Sequence, residues 1–171
     1  SMDFTLALHV AKTIAGSGAR LSLDYEAHAE HPGFDAWKPV LEQTSVLFVN
    51  EDGLESLLPG LTMDQAAERI LPLGVQYMVV TCAEKGGAVF TKDQSIQYRA
   101  YRAAHVADTT GAGDCFNAAF LSEIVRGSDP KAAARYAAAA STISIGAVGA
   151  RTGLPAREQV LAFLAAEPEQ I

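Results

Sequence analysis

Two short runs, "VLFVN" at Val46–Asn50 and "YMVVTC" at Tyr77–Cys82, are apolar on both faces when drawn as strands. Such strands need cover on both sides, which a sheet with one face in water does not give them and a parallel sheet flanked by helices does. Further strands are expected at Arg20–Tyr25, Gly87–Lys92 and Ser95–Tyr101. Helical periodicity falls at Phe4–Ala15, Thr62–Leu71, Gly113–Arg126, Pro130–Ile145 and Ala156–Ala166. Gly127 after one helix, Ser128-Asp129-Pro130 before the next and Pro155 before the last supply stop and start signals. "GGAVFTKDQSIQYRAY" interrupts the alternation as two strands joined by a polar turn, the pattern of a hairpin at one sheet edge. The class predicted is α/β, three layers (αβα, Rossmann-like) with a mainly parallel sheet and an edge hairpin.

A chain of 171 residues with 49% hydrophobic and 19% charged residues can bury one core and is expected to form one domain. Its net charge of −7 excludes nucleic acid or an anionic membrane as the main partner, because those surfaces call for clustered Lys and Arg. Cys82 and Cys115 make no disulfide framework and fit a reducing, cytoplasmic setting. The longest uncharged stretch, Tyr136–Ala150, is rich in Ala, Ser and Gly and falls short of the roughly 20 residues a membrane span needs. It reads as a buried helix end. No targeting peptide is evident, and Ser1-Met2 resembles an expression-vector remnant.

The chemistry is concentrated in "DTTGAGDCFNAAF", Asp108–Phe120. Strand-like "HVA" runs into Asp108, and Phe116, Ala119, Phe120 and Ile124 form the buried stripe of a helix starting near Gly113. The first N–H groups of a helix lack partners and sit at the positive end of its dipole. Gly111, Ala112 and Gly113 carry almost no side chain, so a phosphoryl oxygen can come close to those amides. Asp114 beside them is placed to take a proton from an attacking hydroxyl. The plainer alternative, a tight turn whose acid complements the dipole, leaves Asp108 and Thr110 in the same loop unexplained.

These residues resemble the C-terminal signature of the ribokinase-like (PfkB) carbohydrate kinases. Three other segments fall in that family's order: "LFVNEDG" resembles its Asn-x-x-Glu motif, "VVTCAEKGG" its Thr-x-Gly-x-x-Gly nucleotide loop, and "ISIGAVGARTGLP" its Gly-Ala segment before the final helix. The resemblance implies the ribokinase-like form of the three-layer fold. It also implies Asp114 as catalytic base and Gly111, Ala112 and Gly113 as an anion hole. It places Thr81, Ala83, Lys85 and Gly86 on the nucleotide loop, Asn50 near the phosphates, and Ala138 and Ser141 as contacts to the base. Asp108 and Thr110, with carbonyls near Ile145, Val148 and Ala150, match a monovalent-cation site, so ATP, Mg²⁺ and K⁺ are the implied cofactors.

Departures from the family pattern are specific. Gly53 stands where an acid is expected three residues after Asn50, with Glu51, Asp52 and Glu55 as stand-ins for the Mg²⁺ shell. Ala83 replaces the first glycine of the nucleotide loop, and "LDYEAH" replaces an Asp-x-Asn-x-Arg pattern. Members of the family run to roughly twice this length. Residues 1–171 therefore resemble the C-terminal nucleotide-binding part, without the N-terminal half and its β-lid. Glu26, His28, Glu30 and His31 have metal-ligand types at short spacing but no second cluster to complete a site. Cys115 reads as a packing residue, and Phe34 and Trp37, on a short helical stretch, as core or as a lid toward parts outside these residues.

Two functions remain: an ATP-dependent kinase acting on a sugar or sugar-like hydroxyl, with the fragment inactive alone, and a nucleotide-binding module without turnover. An unrelated α/β domain with a structural turn is the third alternative. A small-molecule sugar and ATP are the expected partners, with a homodimer or association with an N-terminal half covering the first strand's edge.

Overall fold

The computed structural model describes residues 4–27, 32–166, 168 and 170. Its elements are α1 (Phe4–Ile14), β1 (Leu21–Tyr25), α2 (Phe34–Leu41), β2 (Thr44–Asn50), α3 (Glu51–Leu57), α4 (Met63–Ile70), β3 (Tyr77–Thr81), β4 (Gly87–Phe90), β5 (Ser95–Tyr98), α5 (Ala112–Val125), α6 (Pro130–Ser144) and α7 (Arg157–Ala165). The strands form one sheet in the order β1-β2-β3-β4-β5. β1, β2 and β3 run parallel, joined through helices. The links from β3 to β4 and from β4 to β5 are too short for a crossover, so the sheet ends in antiparallel strands and is mixed. This is the three-layer α/β class with the hairpin that the apolar runs predict. No helix among the described residues is long and apolar enough to cross a membrane.

The chain divides into two compact units, residues 1–81 with 88–95, and residues 82–87 with 96–171. The first unit is built on β2 and β3. Leu47, Phe48, Val49, Met78, Val79 and Val80 are all buried, as strands covered on both faces must be. Each such side chain stabilises the fold by about 1.5–3 kcal/mol relative to exposure. Trp37 of α2 is also buried, with its ring edge-on to Tyr25 at 5.1 Å and Phe4 at 5.2 Å, so the core role expected for it holds. Phe34 is only half-buried, under the Lys38 ammonium. α4 begins with a capping box between Thr62 and Gln65. His28, Glu30 and His31 of the "EAHAEH" cluster lie outside the described residues.

One helix of this unit has no counterpart in the periodicity. α3 starts directly at the end of β2, where the Asn50 side chain accepts from the Gly53 N–H at 2.7 Å and caps the first turn. Burial of Leu54 and Leu57 then outweighs the low helix propensity of Gly53. Gly53 is itself buried, and a Cβ built on it would lie 2.7 Å from the Tyr25 carbonyl and 3.0 Å from Asn50 Oδ1.

The second unit packs α5, α6 and α7. Cys115, Phe116, Phe120 and Glu123 are the buried positions of α5, whereas Ala119 and Ile124 are half-buried. Tyr98 stacks on Phe116 at 5.4 Å. Burial pushes the Cys115 thiol pKa up despite a hydrogen bond with Ser144, consistent with a packing residue. α6 opens at Pro130, capped by Asp129, which accepts from the Lys131 and Ala132 amides at 3.0 Å. The strand expected before Asp108 is irregular backbone, because its Ala107 and Asp108 amides donate to the Ile145 carbonyl and not to a neighbouring strand. β5 likewise stops at Tyr98, and Tyr101 makes an isolated bridge with Gln170.

Ala83, the residue replacing a glycine, has φ of 48°, the only positive value among the described non-glycine residues. Its conformation is the one a glycine would adopt freely, and the methyl group resists it.

Two outcomes follow from these backbones. Gly53→Ala, normally a stabilising change inside a helix, should lower stability by about 1–3 kcal/mol, since the methyl group overpacks against the Tyr25 carbonyl. Urea unfolding measures it, and a gain in midpoint would contradict the close approach. Ala83→Gly should cost nothing or raise stability by up to about 1 kcal/mol, because relief of the left-handed strain offsets the added freedom of the unfolded chain. A loss of that size in the same urea series would show that Ala83 is unstrained.

Candidate functional site

In the first unit, β2 and β3 end together, with Asn50 and Thr81 as register partners at their C-terminal ends. The Asn50 carbonyl oxygen is committed to the α3 cap, which leaves its NH₂ group as the donor. Glu51 and Asp52 are exposed in the first turn of α3. Glu55 accepts from the Gly60 N–H through both carboxylate oxygens at 3.2 Å.

In the second unit, residues 82–86 form a closed turn. Cys82 donates to the Gly86 carbonyl at 2.8 Å, Lys85 to that of Cys82 at 2.9 Å and Gly86 to that of Ala83 at 3.2 Å. Gly86 has φ of 89°, and an added Cβ would overlap the Tyr98 carbonyl and the Arg99 backbone. The turn is therefore held against the end of β5 by a residue without a side chain. Ala83, Glu84 and Lys85 are exposed on it.

The 108–114 segment is organised by one carboxylate. Asp108 Oδ1 accepts from the Thr110 N–H at 2.9 Å and the Thr110 hydroxyl at 2.7 Å, an Asx-type turn. Its Oδ2 accepts from the Gly149 N–H at 2.9 Å. The Thr110 hydroxyl, then the Thr110 and Gly149 amides, hold the Asp108 carboxyl below its usual pKa, against a small opposing effect of burial. The Ile145 carbonyl accepts from Ala107 at 2.8 Å and Asp108 at 3.3 Å, so the segments on either side of α5 and α6 are laced together. Gly111, at φ of 77°, lies so near Ala150 that a Cβ would come within 2.8 Å of the Ala150 Cβ.

α5 leaves this loop with a bare entrance. The Ala112 amide donates to the Thr109 carbonyl at 3.1 Å and that of Cys115 to Gly111 at 2.9 Å. Those of Gly113 and Asp114 make no backbone hydrogen bond outside the helix among the described residues. Nothing stands within 4 Å of a Cβ built on Gly113. Asp114 is exposed in the same turn. Ser141 of α6 donates its hydroxyl to the Ala112 carbonyl at 3.0 Å, and Ala138, one turn earlier, is 5% exposed. The arrangement offers amide hydrogens and a helix dipole to an anion, with a carboxylate beside them.

The structure thus brings Asp108, Thr110, Gly111, Ile145 and Ala150 into one knot and sets Ala112 against Ser141. Val148 is 72% exposed. Gly149 is the participant that motif reading passes over. Its residue type supplies only an N–H and a φ of 90°, and neither shows until the fold places it beside Asp108.

The profile of the pfkB family of carbohydrate kinases matches residues 7–157. A ribokinase of Arabidopsis thaliana is 34% identical over 165 residues, covering 92% of this chain and 42% of that protein. A nucleoside kinase of Methanocaldococcus jannaschii is 35% identical over 124 residues, covering 71% of this chain and 39% of that protein. The solved structure of the Arabidopsis ribokinase, complexed with ribose and ATP, matches with a TM-score of 0.81 at 32% identity, over 95% of this chain and 53% of that one. The chain spans about two fifths of the length of these curated relatives. With a ribokinase-like fold and a family profile matched along most of its length, the chain belongs to the PfkB family of carbohydrate kinases.

Proposed function

We propose that this chain supplies the ATP site, anion hole and catalytic base for phosphoryl transfer to a hydroxyl of a sugar or sugar-like acceptor. The observation that carries the reading is the uncovered α5 entrance, open above Gly113 with Asp114 exposed in the same turn. A ribokinase solved with ribose and ATP among the relatives supports the substrate classes.

In this reading Asp114 accepts the proton of the acceptor hydroxyl as its oxygen attacks the γ-phosphorus, and ADP departs on the opposite side. The amides of Gly111, Ala112 and Gly113, with the dipole of α5, stabilise the charge spread over the transferring oxygens. Since the Ala112 amide already donates to Thr109, Gly113 carries more of that work. Asn50 and Thr81, and the turn at Ala83, Lys85 and Gly86, bind the nucleotide phosphates, with Ala138 and Ser141 toward the base. These 171 residues act as the nucleotide-binding part of the kinase. The acceptor pocket, and the strands or second copy that pair with the edge of β1, are contributed from outside them.

No group of three or more His, Cys, Asp or Glu gathers for a metal among the described residues. Gly53 also has no room for an acid beside Tyr25. A Mg²⁺ would come with the nucleotide phosphates, with Glu51 and Asp52 in the first turn of α3 as the carboxylates to hold its hydration shell, and would neutralise charge on the transferred group. For K⁺ the fit is partial. The Ile145 carbonyl and Asp108 already accept two and three hydrogen bonds, which leaves the Thr110, Val148 and Ala150 carbonyls to reinforce a loop closed by protein contacts.

The second reading, nucleotide binding without turnover, draws on Gly53 and its lack of space for the family's acid. Two variants separate the readings. Gly113→Val should abolish ATP binding measured by calorimetry while leaving the melting temperature nearly unchanged, and wild-type affinity would remove the anion hole. Asp114→Asn should keep ATP affinity within severalfold and lower sugar phosphorylation by about 10²–10⁴-fold in the intact kinase. Turnover absent from the wild type despite ATP binding supports the non-catalytic module, and undiminished turnover in the variant makes the carboxylate structural.

A further inference from the structure

Glu123 lies two and a half turns beyond Asp114 on α5 and plays no part in the reading above. It is 6% exposed, the only acid among the buried polar and charged residues of the described chain. Its Oε1 accepts from Arg157 Nη1. Its Oε2 accepts from the Ser128 hydroxyl at 2.8 Å. Arg126 Nε stands 3.8 Å from Oε1. Arg157 opens α7, and its guanidinium also lies over the Tyr136 ring of α6, 5.3 Å from the centroid. One arginine therefore touches all three helices of the unit. Burial opposes the charge on Glu123, but the hydrogen bonds from Ser128 and Arg157 and the charges of Arg157 and Arg126 outweigh it and hold the carboxyl below its usual pKa.

Arg157 also ends the segment 145–156. That segment is tied to the 107–112 loop by Ile145, Gly149 and Ala150. Gly153 is folded onto the last turn of α6, with no room for a Cβ beside the Ser144 carbonyl. Among the described residues, the segment's ties to that loop are two hydrogen bonds to the Ile145 carbonyl, one from the Gly149 amide and the close approach of Ala150 to Gly111. Its far end adjoins the charged pair of Glu123 and Arg157.

We infer that Glu123 and Arg157 are a positioning pair, clamping the far end of the 145–156 segment to α5 so that Gly149 and Ala150 stay seated on Asp108 and Gly111. The inference rests on the proposed nucleotide site for its functional meaning, and on the loop geometry alone for its structural content. With the clamp released, the segment keeps the same bonding partners but loses the anchor that limits its excursions, so the Gly149–Asp108 hydrogen bond opens more often. The α5 entrance then loses its wall at Ala150.

The experiment reads amide hydrogen exchange at Ala107 and Gly149 together with ATP affinity, in the 171-residue chain. Glu123→Gln and Arg157→Met should speed exchange at both amides tenfold or more and weaken ATP binding in parallel. Arg157→Lys, which keeps the charge, should recover part of both. Val160→Ala, at a buried α7 position outside the pair, controls for loss of stability. It should lower the melting temperature while leaving both exchange rates and ATP affinity within twofold of wild type. Unchanged exchange in Glu123→Gln and Arg157→Met overturns the clamp, as does an equal rise in Val160→Ala. If exchange responds as described while the wild-type chain binds no ATP, the clamp stands and the nucleotide reading fails.

Discussion

The carboxylate of Asp108 takes three hydrogen bonds from two places in the chain, Thr110 close by and Gly149 some forty residues on. That bridge decides where α5 begins. Once Thr110 is turned in by Oδ1, Gly111 must swing to a positive φ to enter the helix. The space it would otherwise fill is occupied by Ala150, which the Oδ2 bond to Gly149 has drawn in. The helix entrance is therefore bare for a structural reason. A side chain at Gly111 is excluded from within the fold, whereas at Gly113 the space is simply open.

The first unit reaches its own candidate residues by a different route. β2 and β3 are apolar enough to be buried on both faces, and their parallel register puts Asn50 and Thr81 side by side where both strands end. Ligand groups at the carboxyl ends of parallel strands are the common arrangement of open α/β sheets. α3 starts at once after Asn50, so the same side chain that ends the strand starts the helix.

Much of this was legible from residue types. Runs without polar residues announced β2 and β3, Gly127 and Asp129-Pro130 marked the break between α5 and α6, and the glycines around Ala112 marked the entrance of α5. What stayed hidden depended on distance in the sequence. α3 carries a glycine in its first turn and only two buried leucines, too little for a periodic signal, and it forms because Asn50 caps it and β1 is near. "HVA" has strand-like composition but spends its amides on Ile145. Glu123 carries no local sign of burial, because its partner Arg157 stands thirty-four residues later in the chain. The roles of Gly53 and Gly149 are set by what stands beside them, which no local pattern records.

α6 is lined on its buried side almost wholly by alanines, Ala133, Ala134, Ala137, Ala138, Ala139 and Ala140, with Tyr136 as the one large exception. Alanine has no rotatable side-chain torsion, so ordering it in a helix contact forfeits no rotamer entropy. The face that α6 offers to its neighbours consequently has a single shape. A displacement of its backbone finds no rotamer changes among these alanines to absorb it, as it would across leucines or methionines. Through Ser141 and the Ala112 carbonyl that backbone is joined to the first residue of α5. The first residue of α5 is thus coupled by one hydrogen bond to a helix whose buried surface is made of methyl groups without rotamers of their own.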